Sequence, residues 1–169
     1  QIVYYFFSYF KIAKKDEKIN FSVPTGNFGD IYAGYVAKKM GLPINKLVIA
    51  TNENDILKRV IKTGIYKPKK VMHTISPSMD IQVASNFERL IFDIFNCDAD
   101  KTSNLMEDLK KLGKFKIEKK YLLKICESFC SESLSEKETK LIINKTYKEQ
   151  KILIDPHTAI AIGVANKIS

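Results

Sequence analysis

Tryptophan is missing from the 169 residues, histidine occurs twice and cysteine three times. Two histidines leave little with which to complete a metal site, and none is assigned. Cys97, Cys126 and Cys130 have neither the spacing of a zinc ribbon nor the even count of a secreted disulfide framework. Cys126 and Cys130 are spaced to share one helix face and are expected as buried thiols. A reducing, cytoplasmic setting is the simpler expectation. Long hydrophobic runs are also missing. Ile2 to Phe10 is almost wholly apolar, but Lys11, Lys14 and Lys15 close it after a few turns. A membrane-spanning helix needs about 20 apolar residues, and no signal-peptide cleavage site follows. The run predicts a fully buried helix and no membrane association. There is no internal repeat and no low-complexity linker.

What is present is an ordinary globular composition, 45% hydrophobic and 28% charged, in a chain long enough for one domain with a core. Lys and Arg number 28 against 19 Asp and Glu, a net charge of +9. The lysines are scattered as pairs such as Lys14-Lys15, Lys38-Lys39, Lys69-Lys70, Lys110-Lys111 and Lys119-Lys120, with acids nearby. That distribution fits a solvated surface better than a basic interaction arm. A nucleic-acid-binding module is the competing reading of the charge, and it requires binding that falls steeply with salt. The aromatic and basic interleaving of an RNA-binding sheet is lacking, so no nucleic-acid partner is expected.

From 18 to 64 the pattern is a β-α-β unit. Ile19 to Val23 reads as a strand, Pro24 to Asp30 as a loop, Ile31 to Met40 as a helix stopped by Gly41 and Pro43, and Leu47 to Thr51 as a continuous apolar strand. A second helix starts at Asn54 or Asp55, buries Ile56, Leu57, Val60 and Ile61, and ends at Gly64. Pro68 and Pro77 bracket a connector, and Asn86 to Phe95 reads as an apolar helix. Residues 98 to 150 are rich in lysine and glutamate and read as a helical scaffold, with a capping box at Ser135 and Glu138. Ile152-Leu153-Ile154 predicts a short strand, and Asp155-Pro156 opens a last helix, where His157 has no identifiable partner. Parallel strands joined by crossover helices predict an α/β class.

The chemistry-bearing stretch is Ser22-Val23-Pro24-Thr25-Gly26-Asn27-Phe28-Gly29-Asp30, between a strand and a helix. Its two glycines permit positive φ and close approach of the backbone to a ligand, so successive N–H groups can converge on one anion. The helix N-terminus adds partial positive charge, which makes phosphate the expected guest. The loop lacks the Lys-Ser/Thr of a Walker loop and the three-glycine spacing of a dinucleotide fingerprint.

Ser22 to Asp30 resembles the cofactor-phosphate loop of threonine synthases, the branch of fold-type II pyridoxal-phosphate enzymes found in bacteria and fungi. Gln1 to Phe7, Ala37 to Pro43, Ala50 to Asp55, Ser78 to Ile81, Ser85 to Arg89 and Asp155 to Ala159 resemble further family segments in the family's order. The resemblance implies part of the fold-type II architecture, a parallel sheet flanked by helices with a helix-rich second half, and residues 1–169 as a single incomplete domain. It implies pyridoxal phosphate held at Thr25, Gly26, Asn27, Phe28 and Gly29, largely through backbone N–H groups, with the Thr25 and Asn27 side chains assisting. Asn52, Asn54 and Arg89 lie in matching blocks, with capping and surface pairing their expected roles.

By the same resemblance the reaction is β,γ-replacement, converting O-phosphohomoserine, a small phosphorylated amino acid, to threonine and phosphate. The family's Schiff-base lysine belongs to a Phe-Lys-Asp segment placed before the stretch matching Gln1, and no Phe-Lys-Asp occurs among these residues. The segment that supplies a partner to the ring nitrogen follows the family's Asp-Pro-His-Thr-Ala block and is likewise expected outside them. No catalytic residue is therefore assigned, the chain is expected to be inactive alone and unable to anchor the cofactor covalently by the family's route, and a complementing chain carrying the lysine is the alternative.

Overall fold

The computed structural model describes residues 1–168, and its core is a three-stranded parallel sheet in the order β1 (Ile19–Pro24), β2 (Ile44–Thr51), β5 (Phe129–Ser133). β2 is buried on both faces because its side chains alternate between two apolar clusters. Leu47 and Ile49 enter one, with α2 (Gly29–Lys39), α3 (Ile56–Thr63), α4 (Phe87–Ile94) and α6 (Lys119–Ser128). Val48 and Ala50 enter the other, where α8 (Pro156–Ile168) crosses all three strands. A strand covered on both sides has no use for alternation, which is why Leu47-Val48-Ile49-Ala50 is a continuous apolar run.

α1 (Ile2–Ile12) packs on α2, where Gly34 permits the approach: a Cβ there would lie 2.6 Å from the Tyr5 ring. The helix is not fully buried as expected. Tyr5 and Tyr9 are inside, but Val3, Tyr4, Phe7, Phe10 and Ile12 are between 63% and 74% exposed. α5 (Ala99–Leu112) packs on α4, and β3 (Ile65–Tyr66) pairs antiparallel with β4 (Phe115–Lys116). Tyr66 stacks on Phe115 with ring centroids 4.7 Å apart.

The expected helical scaffold over 98–150 contains a strand of the central sheet. Phe129, expected on a helix, begins β5, which pairs with β2 from Leu47↔Phe129 to Thr51↔Ser133. Cys126 ends up on α6 and Cys130 on β5, so they share no helix face; both are half-buried and Cys97 is exposed. The strand predicted at Ile152 to Ile154 does not form, and Leu153 is 77% exposed. α7 (Glu136–Gln150) does open on its capping box, with the Ser135 hydroxyl accepting from the Glu138 amide and the Glu138 carboxylate accepting from Ser135. Among the described residues no helix is long and apolar enough to cross a membrane.

Three carboxylates in the second half of the chain are held well below the ordinary carboxyl value. Burial pushes Glu132 up, but the Lys58 and Lys62 ammoniums and the Ser133 amide outweigh it and hold the group at about 2. Lys167 and Ser135 hold Glu138 at about 2. At the start of α8 the Thr158 hydroxyl, then the Thr158 and His157 amides, hold Asp155 at about 2. These values lie below the unfolded carboxyl value of about 4, so the stabilisation is present above that pH and is lost as pH falls toward 2. Urea midpoints should accordingly fall between pH 5 and pH 2; a midpoint that stays constant over that range contradicts the assignment.

Candidate anion-binding site

The loop 25–28 lies at the carboxyl end of β1, beside the carboxyl end of β2, and runs into α2. Thr25 anchors it. Its amide donates to the Ala50 carbonyl (2.8 Å) and its hydroxyl to the Val23 carbonyl (2.7 Å), so both its protons are committed to the sheet. Beyond Thr25 the pairing stops. Among the described residues the amides of Gly26, Asn27 and Phe28 have no acceptor, and those of Gly29, Asp30 and Ile31 belong to the first turn of α2, which has no preceding carbonyls to meet. The first amide to find a carbonyl again is Tyr32, on Phe28 at 3.1 Å. A run of unpaired N–H groups entering a helix N-terminus is the arrangement that receives a tetrahedral oxyanion.

The glycines act by size. Gly26 and Gly29 do not adopt positive φ, contrary to the expectation from sequence; the left-handed residue is Phe28, at φ 71°. A Cβ on Gly26 would lie 2.6 Å from the Ser78 carbonyl oxygen and 3.2 Å from the Met79 Cα; one on Gly29 would lie 3.3 Å from the Asn86 amide nitrogen. The Phe28 ring is 1% exposed, against Phe87 at 5.1 Å and Phe129 at 5.7 Å, and this packing holds the unfavourable backbone in place.

Asn27 is exposed, and its side chain is oriented by Ser85, whose amide (2.7 Å) and hydroxyl (2.8 Å) both donate to Oδ1. Its Nδ2 has no acceptor among the described residues. A hollow of about 210 Å³ between α1 and β1 borders the loop and is lined by Tyr4, Tyr5, Ser22, Pro24 and Asp30 among others. Burial, first of all, pushes the Asp30 carboxyl up from the ordinary aspartate value. A larger cavity of about 580 Å³, bounded by Phe87, Met106 and Phe115, includes none of the five loop residues.

Comparison with known proteins finds the same segment elsewhere. No protein-family profile matches the chain. Threonine synthase of Saccharomyces cerevisiae is 44% identical across 99% of this chain and 36% of its own length. That of Pseudomonas aeruginosa is 41% identical over the same shares. Among solved structures, pyridoxal-phosphate-bound threonine synthase from Brucella melitensis superposes with a TM-score of 0.96 at 46% identity, over 99% of this chain and 36% of that one. The chain is homologous to the threonine synthases. Its fold is accordingly part of a fold-type II pyridoxal-phosphate enzyme, and it spans about a third of the length of the relatives it matches.

In this chain Asn52 and Asn54 are not surface caps. Each is 2% exposed, and both join a polar cluster around Asp80 at the carboxyl end of β2. Arg89 is exposed on the first turn of α4 and makes no ion pair among the described residues. His157 hydrogen-bonds Asp155 at 3.0 Å through Nδ1, while its buried Nε2 has no partner among the described residues. His73 is exposed. Sequence reasoning missed Ser85 and Asp80 as parts of the site. Both lie in blocks that resemble the family, but nothing local shows that Ser85 reaches Asn27 across 58 positions.

Proposed function

We propose that these residues hold the phosphate of pyridoxal phosphate in a threonine synthase that acts on O-phosphohomoserine in the cytoplasm. The observation that supports this most strongly is the unpaired run of amides from Gly26 to Gly29 at the start of α2. The residues fit the group. Four N–H donors and the Asn27 Nδ2 are free to serve one anion, and each hydrogen bond to a charged acceptor would contribute about 1.5–3 kcal/mol. The α2 N-terminus adds its partial positive charge. Thr25, with both protons already used, acts by fixing where the loop leaves the sheet. When bound, pyridoxal phosphate supplies an electron sink for the proton removals of β,γ-replacement. These residues bind and orient it; they do not themselves move the substrate's protons.

The Schiff-base lysine of the family lies outside the stretch matched here, so the 169 residues alone are proposed to bind without turning over. A second polypeptide carrying that lysine would complete the site, and the exposed apolar face of α1 gives such a partner somewhere to pack. The test pairs two measurements on the 169-residue chain. Pyridoxine 5′-phosphate, which has no aldehyde to react with surface lysines, should bind at least about tenfold more tightly than pyridoxine. Incubation with pyridoxal phosphate and O-phosphohomoserine should release no threonine. Equal affinity for the two pyridoxine forms overturns the phosphate assignment; threonine made by the chain alone overturns the division of labour.

A further inference from the structure

We infer that Asp80 is the positioning residue of the phosphate loop, holding the turn at Ser78 and Met79 against Gly26 and so setting the width of the cradle. This rests on the phosphate reading above and deepens it.

The wall facing Gly26 belongs to a connector with little regular structure. Between Tyr66 and Pro77 there is neither helix nor strand, and Pro77–Met79 form a single 3-10 turn. Four hydrogen bonds converge on the Asp80 carboxylate and tie this connector to the sheet. Oδ1 accepts from Asn52 Nδ2 (2.8 Å), Asn54 Nδ2 (3.0 Å) and the Thr74 hydroxyl (2.7 Å); Oδ2 accepts from the Thr74 amide (2.8 Å). Asn52 and Asn54 follow β2 directly, and β2 carries the Ala50 carbonyl that anchors Thr25. One side chain therefore links the strand beneath the loop to the turn above it.

Only an acceptor-only group satisfies this arrangement. A carboxylate offers about four lone-pair sites and no proton, whereas an amide at position 80, even with its oxygen kept toward the three donors at Oδ1, would turn its NH2 group toward the Thr74 amide. The charge itself works against the proposed guest, since a carboxylate on the residue after Met79 repels a phosphate held at Gly26. The two effects have opposite signs in one variant. If Asp80 mattered only as a nearby negative charge, Asp80→Asn would tighten phosphate binding. If it positions the turn, Asp80→Asn weakens it.

The experiment measures the affinity of the 169-residue chain for pyridoxine 5′-phosphate and for pyridoxine in wild type, Asp80→Asn, Asn52→Asp and the double variant. Asp80→Asn should weaken phosphate-ester binding about tenfold and leave pyridoxine binding unchanged. Exchanging the two groups restores a carboxylate facing an amide, so the double variant should regain most of that loss while Asn52→Asp alone does not. Thr74→Val, which removes one donor at the far end of the cluster, should cost about two- to fivefold and serves if Asp80→Asn does not fold. Unchanged or tighter phosphate-ester binding in Asp80→Asn, a folded double variant with no recovery, or no effect of Thr74→Val overturns the inference alone. A wild-type chain that does not distinguish the two ligands overturns the phosphate site itself, and this inference with it.

Discussion

Gly26→Ala should abolish the preference for pyridoxine 5′-phosphate over pyridoxine while leaving the chain folded. The new methyl carbon would sit 2.6 Å from the Ser78 carbonyl oxygen and 3.1 Å from Ile81 Cδ1. The side-chain carbon can rotate aside; the carbonyl is backbone and cannot. Either the loop or the facing turn must retreat by several tenths of an ångström, and the Gly26 and Asn27 amides move with it. Losing even one hydrogen bond to a charged acceptor, about 1.5–3 kcal/mol, corresponds to about ten- to hundredfold in affinity. Equilibrium titration of the two ligands reads this directly, and a variant that retains wild-type preference would show that the close approach at Gly26 has no bearing on the anion.

The second large effect concerns Phe28, where two contributions can be separated. Truncating a buried phenyl ring to Ala costs about 3–5 kcal/mol through lost burial and the cavity left between Phe87 and Phe129. Phe28 also holds φ 71° and ψ 0°, a region that disfavours any residue with a Cβ by about 1–2 kcal/mol. Phe28→Gly removes the same ring but also that strain. Urea unfolding should therefore show both variants strongly destabilised, with Phe28→Gly the more stable of the two by about 1 kcal/mol. In a loop with ordinary φ the order reverses, because glycine adds freedom to the unfolded chain. Finding Ala the more stable would mean that the left-handed backbone at Phe28 is not strained.

These two positions also show where the sequence is legible. The loop, its flanking strands and the helix behind it are local features, and 18–64 folds as the β-α-β unit that hydrophobic spacing predicts. The Ser135 and Glu138 capping box is equally local. What escaped depends on distant partners. Phe129-Cys130-Ser131-Glu132-Ser133 carries too many polar residues to read as a strand, yet pairing with β2 along its length outweighs that local preference. Ile152-Leu153-Ile154 has strand composition and no strand to pair with. The exposed side of α1 lacks a covering element among the described residues, so apolar composition there did not translate into burial. In the site, Gly26 and Gly29 were legible as glycines, but their role as gaps against Ser78 and Asn86 was not. A sequence shows that a side chain is missing and not what would otherwise collide with it.

In the proposed function the amides of Gly26, Asn27, Phe28 and Gly29 together receive the coenzyme phosphate. Amide chemical shifts of the 169-residue chain, followed by NMR during titration with pyridoxine 5′-phosphate and separately with pyridoxine, test it most directly. The four amides should move together, downfield and saturably, with the phosphate ester, and remain in place with pyridoxine. Shifts spread over the lysine-rich surface with these four unmoved would contradict the account.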